Sequence, residues 1–282
     1  MTSMKQQAGL SMIELMITLA ISSFLILGIT QVYVDNKRNQ LFQQTQATNL
    51  ENGRFATLLL NDYLGRAGYR RAPSQLLETA FPQRSASGDC LQFSTGSSIT
   101  GLDPSVGAGF CIRYQPLTSG ELDCQGAAST SFTDDTPFID PPVDSLIVLA
   151  FKYEPSSDGN VQNGSLRCKS LNASSPQYVE MLKGVASLRM DFGVGVADLL
   201  EKEITQFIPQ KDWTATSGAI RSVRYSLLLA GRDGQRDSDD SKVLTDWLAA
   251  ADSTEKSRLE TNDKKRIYQV AGSTQTIRNL MP

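Results

Sequence analysis

The chain has 282 residues, with 27 Lys and Arg against 30 Asp and Glu, a net charge of −3, and no histidine. That mild acidity argues against a nucleic-acid platform, which needs clustered basic residues. Without His there is no Ser-His-Asp or Cys-His nucleophile and the commonest metal ligand is missing, so the composition points away from catalysis and from any bound metal or cofactor.

The N-terminus carries the strongest pattern. A leader containing Lys5 ends in Ala8-Gly9, and Leu10-Ser11-Met12-Ile13-Glu14 follows. Glu14 and Asp35 then bracket 20 uncharged residues. As a helix these cover ~30 Å, about one bilayer core. Lys5 before the run and Lys37-Arg38 after it nearly balance the charge rule for orientation. The small-residue site precedes the apolar run, whereas an ordinary signal peptide has its cleavage site after it. Cleavage at this site would therefore keep the helix on the mature chain. Glu14 is costly near hydrocarbon, roughly 2.5–3.5 kcal/mol on insertion scales. Either it lies at the headgroup level and is solvated, or it is protonated in the membrane, or it finds a partner.

Gly9-Leu10-Ser11-Met12-Ile13-Glu14-Leu15 resembles the processing site of type IV prepilins. The resemblance implies cleavage between Gly9 and Leu10 by a prepilin peptidase, and N-methylation of Leu10. It also implies an assembly role for Glu14, whose partner would be the N-terminal amine of a neighbouring subunit. The chain departs from the family at Leu10, where Phe is usual.

Beyond the run the helical spacing continues through Leu50, Phe55, Leu58, Leu59 and Tyr63, with no proline before Pro73. Gly53 weakens the interior by ~1 kcal/mol relative to Ala, and Gly65 and Gly68 are natural stops. The expected organisation is a leader at 1–9, one long helix at 10–64 whose part 10–34 spans a membrane or fills a filament core, and a β-rich head at 65–282. Residues 72–89 and 116–142 read as loops. Strands are expected at the segments starting Cys90-Leu91-Gln92-Phe93 and around Phe110-Cys111-Ile112-Arg113-Tyr114, at 144–153, 165–171, 186–194 and 220–229, and last at 265–270. Strands following one long helix imply an α+β fold, a mostly antiparallel sheet packed on that helix.

The four cysteines, Cys90, Cys111, Cys124 and Cys168, include no C-x-x-C pair. In an exported head they read as two disulfides with three connectivities. The neighbouring strand-like segments favour Cys90–Cys111, leaving Cys124–Cys168 to pin the loop after Tyr114. The acidic stretch Asp233-Gly234-Gln235-Arg236-Asp237-Ser238-Asp239-Asp240 does not fit the spacing of a calcium loop and reads as a solvated hairpin or loop, with calcium as the alternative. Lys264-Lys265-Arg266 reads as the solvated start of a strand, with a binding patch as the alternative.

Three further segments resemble PilW-type minor pilins: residues 55–69, the run Val179-Glu180-Met181-Leu182-Lys183-Gly184-Val185-Ala186-Ser187-Leu188-Arg189, and Thr276-Ile277-Arg278-Asn279-Leu280. Pseudopilin J of type II secretion shares part of this pattern. The resemblance implies the pilin fold and a non-catalytic subunit of a tip complex that primes pilus assembly for motility and adhesion. The implied partners are other minor pilins, the major pilin, a large tip adhesin, and the prepilin peptidase during processing. The implied location is the inner membrane with the head in the periplasm, then the pilus tip. A pseudopilin of a type II secretion or DNA-uptake machine is the alternative.

Overall fold

A computed structural model describes residues 11–135, 138–196 and 203–280. It divides into two compact units, Met1–Thr45 and Gln46–Pro282. Helix α1 (Met12–Arg66) begins in the first and ends in the second.

From Leu15 to Val34 α1 is apolar around most of its circumference, and its large side chains from Met12 to Val34 are all exposed. Its few polar residues bond within the helix: Thr18 Oγ1 to the Leu15 carbonyl, Ser23 Oγ to Leu19 and Thr30 Oγ1 to Ile26. This leaves no side-chain hydroxyl among those three to oppose burial in an apolar medium.

In the second unit α1 becomes amphipathic. Ala56, Leu60, Leu64 and Ala67 recur at three- and four-residue spacing and are fully buried. The helix stops because Gly68 takes φ +75° and its N–H bonds to the Arg113 carbonyl at 3.0 Å. A Cβ there would meet Ser98 Oγ at 2.9 Å, so both the dihedral and the space select glycine.

The short helix α2 (Leu77–Ala80) leads into β1 (Ile99–Gly101), β2 (Gly109–Tyr114), β3 (Ile147–Glu154), β4 (Ser165–Ser170) and β5 (Val179–Lys183), an antiparallel sheet in that order. Gly184, at φ +86°, turns the chain into a second antiparallel sheet. That sheet contains β6 (Val185–Gly195), β7 (Gln206–Pro209), β8 (Ala219–Ala230) and, after helices α3 (Lys242–Leu248) and α4 (Ser253–Thr261), β9 (Tyr268–Thr276), in the order β7-β6-β8-β9. The head therefore holds two sheets where the sequence suggested one.

Both sheets share one core with α1. Phe110, Ile112, Leu149, Phe151 and Leu166 come from the first, and Leu188, Met190, Phe192, Val223, Tyr225 and Leu227 from the second. The far face of the first sheet is covered by Ala80, Phe81, Phe93 and Leu102. This explains the near-continuous apolar run of β3, which is buried on both faces. The far face of the second sheet is partly covered by Leu244, Trp247 and Leu259 of α3 and α4.

Two strand expectations are corrected. The segment from Cys90 to Phe93 forms only isolated bridges, Arg84 with Phe93 and Cys90 with Leu102, because it lies over the edge of β1. The last strand is displaced from 265–270 to Tyr268–Thr276, because Lys264 and Lys265 occupy a turn at positive φ. Helices α3 and α4 were not anticipated. Ser241 caps the first, accepting from Leu244 N at 3.3 Å, and Asp252 caps the second, accepting from Glu255 N at 2.8 Å.

Candidate functional site

Gly9 and Leu10, the residues of the processing motif, lie outside the described residues. Glu14 lies in the first turn of α1, with its side chain exposed. A carboxylate there opposes the positive end of the helix dipole. The next basic residues along the helix are Lys37 and Arg38, about six turns away and out of reach of Glu14. The segment thus joins a membrane-length apolar helix to a single exposed acid at its start.

In the head, disulfides join Cys90 to Cys111 and Cys124 to Cys168. The first ties the segment before β1 to β2. The second ties the excursion between β2 and β3 to β4, where Gln125 Oε1 also accepts from Ser170 N at 2.7 Å. Arg66 reaches the same excursion through Glu121 at 3.5 Å, in addition to Asp62 at 2.9 Å.

The acidic loop is a charge latch. Asp233 pairs with Arg266 at 2.5 Å, Asp239 with Lys265 at 3.1 Å, and Arg236 with Asp263. Among the described residues no group of three His, Cys, Asp or Glu side chains could hold a metal ion. The expectation that Lys264-Lys265-Arg266 is solvated is corrected at Arg266. Its side chain is fully buried and donates to the Gly231 carbonyl at 2.8 Å, because the turn at Lys264 and Lys265 folds it under the acidic loop.

Another buried cation escaped sequence reasoning. Arg113 of β2 donates to the carbonyls of Ser97, Pro82, Phe81 and Ser94, with its guanidinium over the rings of Phe81 and Phe93. The signal was available, since Arg113 lies two residues from Cys111 and so on the same, covered face of the strand.

A cleft of about 540 Å³ runs over β6 between Ala108, Gln210 and the α3–α4 connection. Its charged residues serve packing. Glu255 accepts from Trp247 Nε1 at 2.7 Å, from Arg189 Nη2 at 3.3 Å and from Ser187 Oγ, which ties both helices to β6.

A membrane-length helix led by a carboxylate, with antiparallel sheets after it, is the arrangement expected of a type IV pilin. Residues 4–30 match the family model of the prokaryotic N-terminal methylation motif, and residues 155–279 match Type IV Pilus-assembly protein W. Together the two matches support a PilW-type minor pilin, a structural subunit of a pilus. Among solved structures, it is similar to the type IV-like pilin TTHA1219 from Thermus thermophilus, at 14% identity and a TM-score of 0.40, over 84% of this chain and 99% of that one. No curated protein sequence is significantly similar to it.

Proposed function

We propose that this pilin belongs to a complex at the pilus tip that primes assembly, in pili serving motility and adhesion. On this reading the peptidase cuts between Gly9 and Leu10, Leu10 is N-methylated, and the chain waits in the inner membrane with its head in the periplasm. The observation that carries the proposal is Glu14 at the exposed start of an otherwise apolar helix. Its burial penalty is relieved when a neighbouring subunit supplies an amine, so docking in the wrong register is disfavoured by several kcal/mol. The bulk of the head suits a terminal position better than a repeating shaft. The other minor pilins and the major pilin are the partners, and a large tip adhesin would be carried by this complex.

A clean deletion scored for surface pili and for secreted enzymes tests the proposal. Loss of pili with normal secretion is expected. Loss of secretion with normal pili would assign the chain to a secretion machine as a pseudopilin.

A further inference from the structure

The two sheets have four outer strands, and three are protected. β1 has three residues and is overlaid by the Leu91 N–H to Gly101 carbonyl bond at 3.0 Å. β5 carries Glu180 and Lys183 and pairs with β4 through a register shift at Leu166/Arg167. β7 has four residues and ends in Pro209. Charges, prolines, bulges and short length are the usual guards against strand addition. β9 has none of them. Its nine residues, Tyr268–Thr276, contain no charge and no proline, and its ladder with β8 runs without a shift.

The phase of that ladder is fixed at both ends, by Ile277 N–H to the Arg221 carbonyl at 2.9 Å and Gly231 N–H to the Ile267 carbonyl at 2.8 Å. Hydrogen-bonded pairs alternate in an antiparallel ladder. The odd-numbered residues of β9 therefore bond to β8, and Val270, Gly272 and Thr274 turn their N–H and C=O groups to the free edge. These three residues are exposed as well.

We propose that the edge of β9 takes an extended, uncharged strand from a different protein of the pilus, by β-strand addition. A second copy paired two-fold through the same edge does not fit. The end of α1 runs in the same direction as β9: Asn49 bonds to Ile267, Gly53 packs on Ala271, and Gly65 accepts from Asn279. Two-fold pairing of β9 would make the two heads, and the ends of α1 packed on them, antiparallel, whereas subunits of one pilus share one orientation.

The proposal rests on the chain being a pilus subunit, and the test separates the two claims. A photo-crosslinking amino acid is placed at Val270, at Thr274 or, as control, at exposed Leu76 in the full-length protein, in piliated cells. Adducts are mapped by mass spectrometry and pili are counted in the same strains. Val270 and Thr274 should mark one segment of one other pilus protein, at two sites four residues apart, with Leu76 leaving that segment unlabelled. Thr274→Pro removes an edge N–H and no bond to β8, so it should abolish the Val270 adduct without lowering the melting temperature of the purified chain. Adducts only with a second copy, adducts that survive Thr274→Pro, or pili without adducts would each overturn the strand site. The last result would leave the assembly reading intact.

Discussion

Gly53 and Gly65 lie on the same helix and should respond to alanine with opposite signs. Alanine is favoured over glycine in a helix interior by ~0.8–1.0 kcal/mol. At Gly65 a Cβ meets nothing within 4 Å, so most of that gain should appear as stability. At Gly53 a Cβ would lie 3.0 Å from Ala271 Cβ and 3.0 Å from Leu229 Cδ1. The Leu229 methyl can swing away, but the Ala271 Cβ moves only with β9. Overpacking of this kind costs ~1–3 kcal/mol, so Gly53→Ala should lose up to about 2 kcal/mol net of the propensity gain. At ~2–4 °C per kcal/mol for a domain of this size, Gly65→Ala should melt a few degrees above and Gly53→Ala several degrees below the parent. The assay is thermal unfolding of the full chain in detergent, followed by near-ultraviolet circular dichroism. Equal stabilisation by both substitutions would refute the close seating of α1 on the second sheet.

Other outcomes follow from the same structure. The Cys124–Cys168 bridge spans 44 residues and Cys90–Cys111 spans 21. In the chain-entropy account their paired Ser variants should lose about 4 and about 3 kcal/mol respectively, readable as denaturant midpoints. Burial pushes the phenols of Tyr153 and Tyr225 up to about 12. Their contribution is fully present below the unfolded value near 10 and is lost as pH rises toward the folded one, so melting temperature should fall above about pH 10. Ultraviolet titration should show these two ionising only with unfolding. Lys264 and Lys265 both have positive φ, and the Arg266 N–H bonds to the Asp263 carbonyl across them. Asn and Gly suit such a turn, so Lys264→Asn with Lys265→Gly should stabilise the head by about 1 kcal/mol in the same melts.

The long helix was legible because lipid-length apolar composition and the absence of proline leave few alternatives. The alternation of Leu188, Met190 and Phe192 likewise located β6, since a half-buried strand writes its period into the sequence. β9 was misplaced because its second half, Gly272 to Thr276, is an edge that needs only backbone bonds and few apolar side chains. α3 and α4 are too short to show a long period, although Ser241 and the Asp252/Glu255 pair carried N-cap signals. Arg266 was misread because its burial depends on carboxylates at Asp233 and carbonyls at Gly231, more than thirty residues earlier. Gly53 showed only its cost in the sequence. The close approach that offsets it is a property of the packed sheet.

Glu14 should report on docking between subunits and not on folding. The most direct measurement is a count of surface pili in cells expressing Glu14→Ala, alongside the melting temperature and abundance of the variant. Few or no pili, with an unchanged head, are expected. Normal piliation by a stable Glu14→Ala protein would contradict it.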